Sequence, residues 1–171
     1  SLSDATVIIN SDAQSGTKTY DGKPITVEVK VGNKTLTLGE DYVVVIGNKT
    51  ITIASELPKD VKIENGKVVN YEITIKAKEC GNYSGEKANV TAKITPKELT
   101  VTIKDQTKTL PGGKIETDAS QWAEIKDKET AIISGDKVSL TGKIKEGEEG
   151  KLVADGDITT SNTNYTVKTV E

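Results

Sequence analysis

Residues 17–25 read Thr17-Lys18-Thr19-Tyr20-Asp21-Gly22-Lys23-Pro24-Ile25, and residues 107–115 read Thr107-Lys108-Thr109-Leu110-Pro111-Gly112-Gly113-Lys114-Ile115. The second stretch repeats the first at a spacing of ninety residues. Self-similarity at the spacing of a small domain indicates two copies of one folding unit. A chain of 171 residues is long enough for one large domain or two small ones. The repeat therefore predicts two tandem domains, residues 1–96 and 97–171.

Alternation of apolar and polar residues predicts strands in both halves of the chain. In Ile25–Val31 the odd-numbered residues are apolar, and the residues between them are Thr26, Glu28 and Lys30. Such a strand buries one face and wets the other, as a two-layer sheet structure requires. The same pattern recurs in three further segments, which are Tyr71–Lys78, Ala88–Ile94 and Leu99–Lys104. We therefore expect an all-β fold with two β-sandwich domains.

Glycine and asparagine punctuate these segments at the places where hairpin turns would be needed. Both residues accept the positive φ that tight turns demand and that β-branched residues resist. The predicted turns are Gly32-Asn33, Gly47-Asn48, Asn65-Gly66, Gly81-Asn82, Gly112-Gly113, Gly135-Asp136 and 147–150. Only Ala54–Leu57 and Ser120–Ile125 could hold a helical turn, and neither is long enough to organise a fold.

The predicted domain boundary lies in Ile94-Thr95-Pro96-Lys97, where one strand ends and the next begins almost at once. Proline fixes φ and removes a ladder donor, so it belongs at a strand edge or a joint. A Gly/Ser tether would imply independent tumbling, and this segment contains neither residue. The sequence therefore predicts two units placed end to end as a semi-rigid rod.

Composition bears on the partners of the chain. The 23 basic and 26 acidic residues give a net charge of −3, and both signs are interspersed along every segment. Such a surface attracts neither nucleic acid nor an anionic membrane. The sequence also lacks an apolar run near the ~20 residues that cross a bilayer. We expect no nucleic-acid partner and no membrane insertion in these 171 residues.

Residue types that carry catalysis or bind metals are scarce. The chain has no histidine and one cysteine, Cys80, which leaves neither a Ser-His nor a Cys-His nucleophile and no usual zinc ligand set. Cys80 is expected to be a small, half-buried residue ahead of a turn. Asp155-Gly156-Asp157 could offer oxygens to calcium, but a hairpin turn explains it better. The chain is predicted not to be an enzyme, with no cofactor, no metal site and no catalytic residue.

Four motifs in the first half follow one another in a characteristic order: Tyr20-Asp21-Gly22-Lys23-Pro24, Leu38-Gly39-Glu40-Asp41-Tyr42, Gly81-Asn82-Tyr83-Ser84-Gly85 and Ala92-Lys93-Ile94-Thr95-Pro96. In this order they resemble the tandem immunoglobulin-like repeats of bacterial surface proteins. The second half is similar to the MBG-type repeat of such arrays, in Leu99-Thr100-Val101, Thr107-Lys108-Thr109, Gly135–Gly142 and Asn164-Tyr165-Thr166-Val167. It departs from the pattern at Leu110-Pro111 and in 115–133.

The resemblance implies two tandem immunoglobulin-like β-sandwich domains and a non-catalytic role. Such repeats serve as stalks and spacers in secreted or cell-wall-attached bacterial proteins, often adhesins. The implied partners are the neighbouring immunoglobulin-like repeats of the parent protein and a glycan or protein of the host or cell wall. A repeated unit, a short joint and a mixed-charge surface suit that role.

Trp122 is the candidate ligand-binding residue, because the single tryptophan stands in the least regular segment. Loops tend to carry binding, and aromatic rings stack on sugar faces. Two roles remain open for Trp122: packing in a core or between domains, and exposed contact with a ligand. The second role would make the chain a glycan- or host-protein-binding module that uses loops of the second domain. Tyrosines in or beside strands favour core use, and these are Tyr20, Tyr71, Tyr83 and Tyr165.

Overall fold

The computed structural model describes residues 1–13, 15–104 and 117–170. The second copy of the repeated segment, residues 107–115, lies outside the described residues, as do the predicted turn Gly112-Gly113 and Leu110-Pro111. The chain is mostly β, and it divides into two compact units, Ser1–Thr95 and Pro96–Glu171. They are called unit 1 and unit 2 below. The sequence places the same boundary one residue later, after Pro96.

Unit 1 contains eleven strands and two short 3-10 turns among its described residues. The turns are Leu2–Asp4 and Ala54–Glu56, the second within the predicted helical turn. The strands are β1 (Thr6–Ile9), β2 (Asp12–Ala13), β3 (Ser15–Thr19), β4 (Val27–Val31), β5 (Lys34–Thr35), β6 (Tyr42–Ile46), β7 (Lys49–Ile51), β8 (Ile63–Glu64), β9 (Lys67–Val68), β10 (Tyr71–Ala77) and β11 (Glu86–Thr95).

The strands of unit 1 form two main sheets and a hairpin. One sheet has four strands in the order β2-β1-β4-β5, and the other has five in the order β3-β11-β10-β6-β7, while β8 and β9 pair alone. Neighbouring strands run antiparallel except at one edge, where β3 pairs parallel with β11 from Ser15↔Thr91 to Thr19↔Thr95. The edge strands of both main sheets are short, between two and five residues long.

The core of unit 1 follows from alternation within its strands. In β10 the side chains of Ile73 and Ile75 are buried, while Glu72 and Lys76 are exposed. Removing such aliphatic side chains from water contributes about 1.5–3 kcal/mol each. The four-stranded sheet buries Val7, Ile9 and Val29 in the same way. The alternating pattern predicted for 71–78 is therefore confirmed, and unit 1 has a β-sandwich-like character.

A β-bulge in β11 corrects one detail of the predicted pattern. The sequence places Ala88 on the inward face with Val90, but Ala88 is exposed. The register shifts between Ile73 and Ile75 of β10, and Asn89 has φ +60°. The extra residue in β11 breaks the two-residue period, so the side chain of Ala88 no longer follows Val90 into the core.

Several predicted turns are confirmed. Asn65 and Gly66 connect β8 and β9 with φ +51° and +74°, the two consecutive positive values that a type I′ hairpin turn requires. Gly32 and Gly47 begin the turns after β4 and β6. These turns fix the register of three hairpins, because a two-residue loop leaves the paired residues no freedom to slip.

Unit 2 has shorter elements, and the two helices among its described residues are single turns. The helices are α1 (Ala119–Trp122), which overlaps the predicted helical turn, and α2 (Lys128–Ala131), which the sequence did not predict. A 3-10 turn covers Glu148–Gly150. The strands are β12 (Lys97–Ile103), β13 (Thr117–Asp118), β14 (Ala123–Ile125), β15 (Leu140–Thr141), β16 (Lys143–Glu146), β17 (Leu152–Ala154), β18 (Thr159–Thr160) and β19 (Tyr165–Val170).

The main sheet of unit 2 has the order β14-β12-β19 and mixes both pairing directions. β12 is antiparallel to β14 and parallel to β19. In unit 1 the final strand, β11, lies inside its sheet and the early strand β3 lies at the edge. In unit 2 the arrangement is reversed, because the first strand, β12, lies inside the sheet and the final strand, β19, lies at the edge. The described part of unit 2 also contains two smaller sheets, β13-β16-β17 and β15-β18.

The core of unit 2 lies against β12 and α1. Its buried cluster consists of Val101, Ala119, Ala123, Ile144, Leu152 and Ile158. Half-buried apolar side chains, Trp122 among them, pack around this cluster. Two of the six cluster members are alanines on or next to α1, and their small side chains let that short turn approach the sheet closely.

Candidate ligand-binding site in unit 2

The segment around Trp122 is fixed by backbone capping. The carboxylate of Asp118 accepts a hydrogen bond from the Ser120 N–H at 2.9 Å, which caps the first turn of α1. The N–H of the buried Ala119 donates to the carbonyl of Gly142 at 3.1 Å. These two hydrogen bonds fix the position of α1 and therefore of its last residue, Trp122.

Trp122 packs against the core of unit 2 and is half-buried. Its carbonyl accepts a hydrogen bond from the Lys104 N–H at 2.7 Å. Its indole Nε1 is buried and has no hydrogen-bond partner among the described residues. A buried donor without an acceptor costs about 1–3 kcal/mol. The ring thus has one face in the core and part of its surface in solvent, and its proposed role as a ligand contact stays a prediction.

A cavity of about 440 Å³ opens beside α1. We call it the α1 cavity. Trp122 is not among its lining residues, although its neighbours Ser120 and Ala123 are. Hydroxyl, carboxylate, ammonium and apolar groups share the wall, which is formed by Ser120, Ala123, Glu124, Ile125, Lys128, Val138, Ser139 and Leu140. This mixture could hydrogen-bond a polar ligand and pack against its apolar surface.

Two polar side chains at the wall of the α1 cavity, Glu124 and Ser139, already have partners. The Glu124 carboxylate lies 3.2 Å from Lys104 Nζ in an exposed ion pair. Ser139 Oγ lies 3.1 Å from Ser161 Oγ. An exposed pair of this kind contributes at most about 1 kcal/mol and exchanges readily with water or ligand. The cavity therefore offers hydrogen-bonding groups that a ligand could recruit at small cost.

A second, more open cavity of about 570 Å³ lies along the segment 128–138 and shares Lys128 and Val138 with the first. Tyr165 holds this segment in place, because its hydroxyl donates to Asp136 Oδ2 at 2.6 Å and accepts from the Ile133 N–H at 2.9 Å. Burial and the neighbouring Asp136 carboxylate raise the pKa of Tyr165 to about 12. The wall of this second cavity thus depends on one tyrosine at the start of β19.

The other tyrosines support strands rather than a site. Tyr20 is buried, as expected, and Tyr71 and Tyr83 are half-buried. The Tyr71 hydroxyl donates to the carbonyl of Asp60 at 2.8 Å. Tyr42 is buried at 2% exposure, and the sequence analysis gave it no role in the core. The sequence did contain a signal for the burial of Tyr42, because Tyr42 begins the β6 segment and falls on the same face as Val44 in the two-residue alternation.

Cys80 corrects the sequence analysis. It was expected to be half-buried, but its side chain is exposed. Cys80 has φ +60° in the turn between β10 and β11, where the Gly81 N–H donates to the carbonyl of Lys78 at 3.2 Å. Cys80 stands three residues beyond the end of β10 at Ala77, so it has no place on the core face of that strand.

The acidic segment at Asp155-Gly156-Asp157 forms a bend in which Gly156 has φ +86°. Asp155 pairs with Lys145 at 3.2 Å. Within 1–13, 15–104 and 117–170, no three residues of the types His, Cys, Asp and Glu gather closely enough to hold a metal ion. The expected hairpin turn is not formed at this bend, because β17 pairs with β16 and the following strand β18 pairs with β15.

Comparison with protein-family models, with curated proteins and with solved structures finds no match to this chain. Among the described residues, no helix has the length and apolar character needed to cross a membrane. The sequence pointed to the segment of α1, but it gave no reason to assign Lys128, Asp136 or Val138 to a site, and these residues line the cavities. The nearest available signal was the turn Gly135-Asp136, which predicted a change of direction without predicting its partner Tyr165.

Proposed function

We propose that this chain is a non-catalytic stalk, spacer or adhesion-array segment of a secreted or cell-surface bacterial protein, built from immunoglobulin-like repeats. One observation carries the proposal: β11 ends at Thr95 and β12 begins at Lys97, with Pro96 alone between them. The link between the units is therefore a single proline, and it is not a Gly/Ser tether of the kind that behaves as a flexible coil. Direct succession of compact units is the organisation of tandem arrays, in which each unit is a module.

The strand order of unit 1 supports an immunoglobulin-like assignment. In immunoglobulin sandwiches one sheet contains strands G, F and C, to which variable-type domains add C′. The order β11-β10-β6-β7 in unit 1 matches that series, since β11 and β10 are its last two strands. The pairing of β1 with β4 matches strands A and B of the opposite sheet. We extend the proposal to unit 2 as an MBG-type repeat, supported by its own buried core.

Surface labelling tests the proposed location. An antibody raised against residues 1–171 should label intact cells of the source bacterium, and external protease should remove the label. A cytosolic enzyme assayed in the same cells is the control and should resist the protease. Confinement of the antigen to the cytosolic fraction would contradict the proposal.

The α1 cavity favours a second candidate, a glycan- or host-protein-binding module. Its wall combines two serine hydroxyls, a carboxylate and an ammonium group with apolar surface, next to the half-buried ring of Trp122. Glycan sites combine hydrogen-bonding groups with aromatic or aliphatic surface in this way. The cavity provides the hydrogen-bonding groups, and the exposed part of the Trp122 ring provides the aromatic surface.

Substitution of Trp122 separates the two candidates. A spacer predicts that Trp122→Ala lowers the free energy of unfolding of unit 2, by about 2–4 kcal/mol for a large side chain packed on a core, and that the parent chain retains no glycan. A binding module predicts glycan retention by the parent chain that is lost in Trp122→Ala and kept in Trp122→Phe. Trp122→Phe is the matched control, because it keeps an aromatic ring and removes the buried indole N–H, which has no acceptor in the part of the chain that the structure describes.

A further inference from the structure

We propose that unit 2 is a mechanical clamp, in which the parallel pair β12 and β19 resists tension along the chain by shear. This inference rests on the proposed function, because a load reaches both ends of unit 2 only within a longer, anchored protein. It goes beyond the role of a spacer, since it concerns the force that the unit withstands. The inference rests on the pairing of the first and last strands of unit 2, β12 and β19.

The geometry follows from the register. Six residue pairs join β12 and β19, from Lys97↔Tyr165 to Thr102↔Val170. The Lys97 N–H also donates to the carbonyl of Asn164 at 2.9 Å. β12 begins one residue after the end of unit 1, and β19 is the last strand of unit 2. A load along the chain therefore enters at the first residue of one strand and leaves at the last residue of its partner.

The direction of the load relative to the strands decides how a pair of strands separates. Because β12 and β19 point the same way, opposite pulls on the start of one and the end of the other act along both strands. The backbone bonds between them are then loaded together, and the strands must slide past each other. If the pulls act on the same end of both strands, the bonds open one pair at a time. Forced unfolding is governed by the unfolding rate, so the shared load raises the force needed.

Burial protects the start of the β12–β19 pair from water, whereas the rest of the edge strand β19 is half-buried or exposed. Leu99 and Val101 of β12 are exposed by 1% and 0%, and Tyr165 at the start of β19 by 3%. The Tyr165 hydroxyl bonds to Asp136 and Ile133 anchor that end of β19 to the segment 128–138. A hydrogen bond in such surroundings has less competition from solvent, which strengthens it.

Unit 1 provides an internal contrast. It also has a parallel pair, β3 with β11, joined through five residue pairs. A load entering unit 1 from its start meets β1 first, and β1 pairs antiparallel with β4 in the other sheet. The load reaches β3 only after β1 has been bypassed. Unit 2 has no such preceding strand, so its clamp is loaded directly.

The test pulls the same strand pair in two directions. All variants carry Cys80→Ser, which removes the single native cysteine, and two introduced cysteines for DNA handles in single-molecule force spectroscopy on the full chain. Glu98→Cys with Val170→Cys loads β12 and β19 in shear. Thr102→Cys with Val170→Cys pulls on a register pair and opens the strands from one end. All three positions are exposed, so the handles leave the core intact.

We expect a rupture force at least about twofold higher for the 98/170 handles than for the 102/170 handles at equal loading rate, because the load is shared in shear. Both variants should keep the thermal stability of the Cys80→Ser chain. Equal rupture forces in the two geometries would overturn the clamp and leave the spacer proposal standing. A cytosolic antigen in the labelling experiment would overturn the spacer proposal and leave the measured force ratio unaffected.

Discussion

Tyrosine performs much of the aromatic packing in this chain, which contains five tyrosines, one tryptophan and no phenylalanine. Tyr20, Tyr42 and Tyr165 are all at most 4% exposed. A buried tyrosine must place its hydroxyl against a partner, and that partner then fixes the position of a neighbouring segment. In unit 2 the partner of Tyr165 is Asp136, so a core residue determines the shape of a surface loop.

Removing the Tyr165 hydroxyl should therefore destabilise unit 2. Tyr165→Phe deletes a bond to a carboxylate at 2.6 Å and one from the Ile133 N–H at 2.9 Å. We expect a loss of about 1.5–3 kcal/mol in the free energy of unfolding, measured by urea unfolding followed through Trp122 fluorescence. Asp136→Asn, which keeps an acceptor and removes its charge, should lose less. An unchanged urea midpoint for Tyr165→Phe would contradict the assigned role.

Alkaline pH should destabilise the protein through two tyrosines. Burial, with Glu28 nearby, raises the pKa of Tyr42 to about 12, and burial with Asp136 raises the pKa of Tyr165 to about 12. Unfolded tyrosine ionises near pH ~10. The folded state holds both protons more tightly, so their contribution is complete below pH ~10 and is lost as the pH rises through about 12.

The measurement is the free energy of unfolding between pH ~9 and ~12. The double variant Tyr42→Phe/Tyr165→Phe should lose stability less steeply over that window than the parent chain. Tyr83→Phe, at a half-buried position, is the control and should keep the parent slope. Parallel slopes for the parent and the double variant would show that neither tyrosine controls alkaline stability.

The sequence predicts residue environments well where they follow the strand period. Tyr20 and Tyr165 were expected in the core because they lie beside strand patterns, and both are buried. Cys80 was placed wrongly, because it lies in the turn beyond β10, where the strand period no longer determines burial. Trp122 was left open between two roles, and its half-buried position shows that one side chain can face both core and solvent.

At the scale of elements, unit 1 depends on the close approach of β1 and β3. Gly16 lies against the backbone of Ile9, and a Cβ atom there would overlap the Ile9 carbonyl. Asn10 fastens the same place, because its Nδ2 donates to the Gly16 carbonyl at 3.3 Å and its Oδ1 accepts from the Thr26 N–H at 3.1 Å. The chain changes sheets here, between β1 of one and β3 of the other.

Gly16→Ala should accordingly be among the most damaging single-methyl substitutions in unit 1. We expect a loss of more than about 2 kcal/mol, because rigid backbone must move to admit the methyl group. Gly32→Ala is the matched control: its φ is +60° but nothing lies within 4 Å, so only the conformational penalty of about 1 kcal/mol applies. Circular dichroism during urea unfolding measures both. Equal losses would remove the steric argument.

Strand existence was predictable, but strand partners were not. The long strands β10, β11 and β12 follow segments with clear period-two alternation. The bulge at Asn89 and the parallel pairings with β3 and β19 depend on contacts between distant residues, and local sequence carries no record of them. The helix α2 escaped prediction because a single turn after a left-handed Asp127 is too short to show a helical period.

At the scale of the whole molecule, two compact units with separate buried side chains predict two unfolding transitions. Trp122 lies in unit 2, so its fluorescence should follow only one transition, while circular dichroism should record both. The fragments 1–95 and 96–171 should each fold and reproduce one transition. A single transition in the full chain, with both fragments unfolded, would show that the units form one cooperative structure.

The candidate site was predictable only as a region. An irregular segment containing the single tryptophan pointed to α1, and a cavity lies beside it. Its wall also includes Val138, Ser139 and Leu140, which the fold brings to α1 from a later part of the chain. The contact between this later segment and α1 depends on the core around Ala119 and Ile144, which no local sequence motif predicts.

The exposed turn at Cys80 has a chemical consequence for the molecule as a whole. The chain contains no methionine, so the Cys80 thiol is its one sulfur atom. Because that atom is exposed, oxidants and alkylating reagents meet a single soft nucleophile that no core residue shields. Sulfur oxidation can thus mark the surface of unit 1 without disturbing the packed interior of either unit.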